Sequence, residues 1–273
     1  MMDAQKKKLD FAKPPVDEVV LSVLFKPLNG FLAPHLGSLW QEFKKDQFAR
    51  IVERPLVNPT IEIFPNQGEE TEFEISNVPP FPRTWFIHEG ESKILQVQRD
   101  RFTFNWRRTD SDQEYPGFSA IFESFEGFYN RFGEIMKNLE LGSVTPLQYE
   151  LSYIDQLMHG DGWNVLNDIG KVYNMFVDSQ HSNSFWKEAE LMIFQTSFSV
   201  PDLRGRLHLA ISNRVKMPDQ RQTLQTDFTV RGFPENAAYP MEMWFKEARD
   251  EIREKFISMF TEDIQTQIWE RKQ

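Results

Sequence analysis

Apolar residues recur at every second position from Val19 through Leu21 and Val23 to Phe25, the spacing of a strand with one buried face. The same alternation returns at Leu147, Tyr149, Leu151 and Tyr153. Further strands are predicted at Trp85 to His88, Lys93 to Gln98, Leu191 to Val200, Arg206 to Val215 and Thr223 to Val230. Another begins at Phe102, with Phe102, Phe104 and Trp106 on one face and Thr103, Asn105 and Arg107 on the other. Two segments switch to a helical period. Phe118, Ile121, Phe122, Phe125, Phe128, Phe132, Ile135 and Leu139 share one face, as do Met241, Trp244, Phe245, Ala248, Ile252, Phe256 and Met259. Shorter helices are predicted around Leu32 to Phe43, with Pro34 in the first turn, and around Val165 to Phe176. Thr261 is placed to cap a last helical turn ending near Trp269.

Strand, short helix, strands and long helix thus run through the chain twice. The order predicts an α+β fold made of a tandem pseudo-repeat, each unit an antiparallel sheet backed by a long helix. Unit one spans residues 14–141, a junction 142–146, and unit two 147–273, after a leader of residues 1–13 expected to be disordered. A junction this short predicts units packed as one body, with the two sheets joining into one saddle-like sheet. That element order resembles the duplicated architecture of the TATA-binding protein. Between Val52 and Pro82 six prolines accompany Glu69, Glu70, Glu72 and Glu74, which predicts edge strands and an exposed acidic loop.

Composition sharpens this reading. The chain has 273 residues, 25 of them Phe and 7 Trp, so the core is built from rings more than from aliphatic side chains. The formal net charge is −10, shared between the halves: 17 Lys+Arg against 23 Asp+Glu in residues 1–150, leaving 14 against 18. Neither half is a basic module, and Lys6, Lys7 and Lys8 form the one cationic run, so tight duplex DNA binding is not expected. With no cysteine, disulfides and thiolate-held metals are excluded. No signal-peptide core or apolar run of membrane-spanning length is present, which leads to the expectation of a cytoplasmic protein.

Candidate chemistry is sparse. Gln98, Arg99, Asn105 and Arg107, with Gln96 and Thr103, give the predicted hairpin a polar surface able to bind a carboxylate, a phosphate or a peptide backbone. Glu69, Glu70, Glu72 and Glu74 form a patch suited to steering a basic protein partner. The loop His159-Gly160-Asp161-Gly162-Trp163 follows a strand, and Asp155 with Asp161 offers a carboxylate pair for an enzyme or small-molecule sensor. Ordinary turn chemistry explains the same glycines and aspartate. Nucleophile elbow, phosphate loop, dinucleotide fingerprint and zinc-helix motifs are all missing, so no cofactor or metal is expected.

One stretch resembles a known family. Trp85-Phe86 and the run Leu95 to Arg107, containing Gln98-Arg99-Asp100-Arg101-Phe102 and Asn105-Trp106-Arg107, are similar to a sporadically distributed family of uncharacterised prokaryotic proteins of comparable length. Pro15, Glu18 and Val19, Tyr115-Pro116, the Tyr149 to Tyr153 strand, and Thr261 with Trp269 extend the resemblance over nearly the whole chain. It implies no catalytic residue. Its patchy distribution implies cargo of mobile elements, among toxin–antitoxin and phage-defence genes. The expected function is therefore a non-enzymatic protein-binding subunit, antitoxin-like or accessory. Its partner would be another protein, such as a basic toxin or defence effector, with homo-oligomerisation open.

Overall fold

Strand β1, Val16–Phe25, lies at the middle of the sheet rather than at an edge, paired antiparallel to the strands Arg101–Arg107 and Pro146–Met158. The computed structural model describes residues 11–62, 81–110, 113–176, 189–216, 220–234, 236 and 238–272. In chain order it contains β1, α1 (Ala33–Lys44), β2 (Arg50–Arg54), β3 (Arg83–Ile87), β4 (Lys93–Val97), β5 (Arg101–Arg107) and α2 (Phe118–Asn138). Then follow β6 (Pro146–Met158), α3 (Ile169–Val172), β7 (Ile193–Val200), β8 (Gly205–Lys216), β9 (Arg221–Gly232) and α4 (Met241–Met259). The sheet is open and antiparallel, in the order β2-β3-β4-β5-β1-β6-β9-β8-β7.

That order reads the same outward from the central β1–β6 pair. On one side the strands run β1, β5, β4, β3; on the other, β6, β9, β8, β7. The register carries the same symmetry, with Leu21 opposite Leu151 and Val19 and Val23 opposite Tyr153 and Tyr149. One rank of side chains then crosses the whole sheet: Phe86, Leu95, Phe104, Leu21, Leu151, Val230, Leu207 and Phe198. Alternation fixes this face, because a one-residue slip would turn the rank to the opposite surface. The chain is thus a tandem pseudo-repeat merged into one sheet, with β2 as an additional edge strand on the first unit.

α1, α2 and α4 pack on the apolar face. Phe132 of α2 meets Phe25 and Phe102, and Phe43 of α1 meets Phe86. Trp244 and Phe256 of α4 meet Tyr149 and Phe228. The long helices also touch each other, since the Phe245 ring lies 5.7 and 5.3 Å from Phe122 and Phe125. Where β8 begins, Gly205 faces Gly232. A Cβ on Gly205 would stand 2.2 Å from the Arg231 carbonyl oxygen, so the close backbone approach requires glycine.

Two expectations change. Residues 11–13 are not a free leader: Ala12 and Lys13 donate to the carbonyls of Glu270 and Trp269, and Phe11 packs edge-on against Phe256 and Trp269. Sequence patterning missed this because a two-bond clasp has no periodicity. The last helical turn is a π-helical segment, Ile264–Ile268, rather than an α-helical one; Thr261 caps it as expected, its Oγ1 accepting from the Ile264 N–H at 3.5 Å while its hydroxyl donates to the Lys171 carbonyl at 2.6 Å. No helix among the described residues is long and apolar enough to cross a membrane.

Candidate functional site

Opposite the helices, the second face of the sheet is polar along its centre. One rank reads Trp85, Gln96, Thr103, Ser22, Glu150, Arg231 and Arg206; the next reads Asn105, Val20, Ser152, Thr229 and His208. Short side chains on the central strands leave a cleft of about 390 Å³. Its floor is a chain of neutral hydrogen bonds. Ser22 pairs with Thr103 at 2.7 Å, Ser152 with Thr229 at 2.8 Å, and Gln96 donates to Asn105 at 2.7 Å. Asn105 in turn donates to Glu18.

The two ends of the cleft carry opposite charge. Glu18 and Asp227 line one end. Burial raises the carboxyl of each above its ordinary range, against hydrogen bonds from Asn105 and Gln225 respectively. Arg83 and Arg101 line the other, beside Trp85. Burial, together with the neighbouring charges of Arg54 and Arg101, lowers the guanidinium of Arg83. Arg54 stands directly across from Arg83 in the β2–β3 ladder, a like-charge pairing that weakens a sheet. Arg101 is level with Leu24 of β1, six residues from Glu18, which separates the ends by about 20 Å at strand rise.

Residues 55–62 leave the edge strand β2 and cross this face to the far side of the sheet. The Val57 N–H donates to Gln98 Oε1 at 3.0 Å, and Gln98 Nε2 donates to the Val57 carbonyl at 3.1 Å. Gln148 does the same further along, accepting from the Glu62 N–H at 2.9 Å and donating to the Thr60 carbonyl at 2.8 Å. Each glutamine amide offers the passing chain one donor and one acceptor, replacing the strand partner that this segment lacks. Glu62 ends the crossing. Its side chain is 5% exposed, 2.6 Å from Arg206 Nη1 and 2.6 Å from His208 Nε2. Burial alone would raise the Glu62 carboxyl, but the hydrogen bonds from His208 and Arg206 outweigh it and hold the group below its usual range.

The sign of that shift fixes a pH response. The clamp contributes stability above the ordinary glutamate range and loses it as pH falls through the lower folded value. Glu62→Gln keeps the shape but removes the charge that Arg206 answers, at an expected cost of about 2 kcal/mol. Urea unfolding measures it, and amide exchange at Val57 should quicken. Unchanged stability and exchange would show that the crossing does not depend on the clamp.

Of the residues singled out in the sequence, Gln98 and Asn105 come together in the cleft. Arg99 and Arg107 do not. Arg99 donates from Nε to the Phe31 carbonyl at 3.0 Å, and Arg107 holds the Glu91 carbonyl at 2.7 Å. Glu69, Glu70, Glu72 and Glu74 lie outside the described residues. Asp155, His159 and Asp161 are not assembled: Asp155 is buried under the helices, His159 packs edge-on against Trp163, and Asp161 is exposed in the turn. Among the described residues no group of three or more His, Asp or Glu could hold a metal ion. Arg83, Trp85 and Arg101 were legible as the outward positions of their strands, and the Arg99-Asp100-Arg101 turn signal masked the last of them. Glu62, Arg206 and His208 meet across 144 residues, a contact with no local signature.

A second cleft of about 540 Å³ lies beside Asp202, Tyr239, Trp244 and Glu247. Buried donors without acceptors gather at the first cleft instead, where Nε of Arg83, Nε of Arg101 and Nε1 of Trp85 find no hydrogen-bond partner among the described residues. Comparison of the chain with protein-family models, with curated proteins and with solved structures returns no match.

Proposed function

We propose that the polar sheet face docks an extended segment of another protein, which makes this chain a non-enzymatic binding subunit. The observation that carries the reading is the crossing of residues 55–62, because the face already holds an extended polypeptide through backbone-reading amides and a carboxylate clamp. Gln96, Thr103, Asn105 and Ser152 continue the same chemistry into the cleft beside that crossing. Main-chain hydrogen bonds supply affinity in such a mode, and charges at the ends supply register and specificity. In the setting that the family resemblance implies, the subunit is an antitoxin-like or accessory component of a mobile toxin–antitoxin or phage-defence module.

Affinity purification from the native host tests the reading. The wild-type chain should retain one stoichiometric protein partner. Val20→Trp and Ile154→Trp, which fill the cleft floor, should release it while thermal unfolding stays cooperative. Recovery of no partner, or of the same partner on the filled and folded variants, would remove the cleft from the function. Loss of an activity on substituting His159 and Asp161 would favour an enzyme instead.

A further inference from the structure

The cationic end of the cleft has chemistry that the docking of a peptide backbone does not use. Arg54 and Arg83 lie over the Trp85 ring, 4.8 and 5.4 Å from its centroid. What remains is a set of unanswered donors, since Arg83 Nε, Arg101 Nε and Trp85 Nε1 are buried without an acceptor among the described residues. Among the described residues the one hydrogen bond that Arg83 makes is a long one of 3.4 Å to neutral Gln96, and no described carboxylate acts on its guanidinium. Like charges held together in a sheet with no counterion among the described residues call for an anion.

We infer that Arg54, Arg83, Arg101 and Trp85 form a phosphate site, and that the cleft takes a phosphate monoester. Charge and geometry choose phosphate over carboxylate. Three arginines and three unpaired N–H groups match a group with three terminal oxygens and a charge of about −1.5 to −2 at neutral pH, whereas a carboxylate brings two oxygens and a single charge. Arginine forks answer such oxygens in pairs. The neighbouring floor of Gln96, Thr103 and Asn105 then faces the rest of the ester with amide and hydroxyl groups. The ester is either a free small molecule or a phosphorylated side chain on a docked segment, and the phosphate chemistry is common to both.

Isothermal titration at low salt separates the cases, with inorganic phosphate, ribose 5-phosphate and a short phosphoserine peptide as probes and succinate as the carboxylate control. Phosphate should bind saturably, and succinate about tenfold or more weakly. Arg83→Gln with Arg101→Gln should weaken phosphate by about tenfold or more, and each single substitution less. Arg99→Gln, whose guanidinium is committed to Phe31, should leave binding unchanged. Because the substituted arginines have no counterion among the described residues, the doubly substituted chain should melt no lower than wild type, and phosphate should raise the melting point of wild type alone. Tighter binding of ribose 5-phosphate assigns a free ester, and tighter binding of the phosphopeptide assigns a phosphorylated segment. Phosphate that fails to bind saturably, that binds the doubly substituted chain equally well, or that is matched by succinate overturns the site. None of these outcomes depends on whether a protein partner is recovered, so the two readings fail separately.

Discussion

Raising the pH from about 4 to about 8 is expected to destabilise this protein, and Asp155→Asn to remove most of that loss. Asp155 sits on the helix side of β6, 3% exposed, with Oδ1 lacking a hydrogen-bond partner among the described residues. Burial first, then the charges of Asp227 and Asp17, push its carboxyl up to about 8, and Arg108 offsets only part of this. Phenols lie close to the site. Tyr115 and Tyr153 share a hydroxyl contact of 3.1 Å, and Tyr173 bonds Thr226 at 2.8 Å, with the Tyr115 phenol itself pushed up to about 12. Between its ordinary value of 3.8 and about 8, the unfolded chain has released this proton while the folded chain keeps it. Folding then binds a proton, and stability falls as pH rises, at about 1.4 kcal/mol per pH unit within that window. The amide of the substituted residue stays neutral throughout. Unfolding free energies of variant and wild type from urea titrations should agree near the acid end and diverge by several kcal/mol at the alkaline end. Parallel curves would show that Asp155 is ionised in the folded protein. Glu18 and Asp227 add slope of the same sign to both proteins, and Glu62 opposes it below its usual range.

Much of the architecture is written in periods of two and of 3.6 residues. Leu21 to Phe25 and Tyr149 to Tyr153 alternate because each strand buries one face, and those strands proved to be the central pair of the sheet. Phe118 to Met136 and Met241 to Met259 declare their helices in the same way. Residues 55–62 were illegible for the opposite reason. Their hydrogen bonds go to Gln98 and Gln148 side chains and not to a neighbouring strand, so no repeat marks them and the prolines there suggested edge strands and an exposed acidic loop. The site follows the same division. Asn105 and Gln98 were found because strand parity puts them outward, whereas Arg99 and Arg107, equally polar in sequence, are engaged by the carbonyls of Phe31 and Glu91. Asp155 was misleading as a chemical candidate because its parity matches Tyr153 and Leu157, the buried side of β6, and not the polar side.

Truncating Phe125 or Phe245 to alanine should each cost about 3–5 kcal/mol and should show that the two units fold as one. Both side chains are fully buried, and the rings meet edge-on at 5.3 Å with an interplanar angle of 66°. Phe125 belongs to the long helix of the first unit and Phe245 to that of the second, so this contact crosses the repeat. Phe245 also touches Tyr149 of β6 and Trp244, which ties the helix pair to the middle of the sheet. Beneath them the β1–β6 ladder runs unbroken from Glu18 to Leu24, so no linker separates the halves at either layer. In a double-mutant cycle the two truncations should couple by about 0.5–1.5 kcal/mol, the share of an edge-on aromatic pair beyond its buried area. Each truncation should lower one cooperative unfolding transition recorded by both far-ultraviolet dichroism and tryptophan fluorescence. Two separated transitions, with Phe125→Ala moving one and Phe245→Ala the other, would mean that the central pair of strands yields before either half does. The coupling would then vanish, because the contact between the helices would be lost before either unit unfolds.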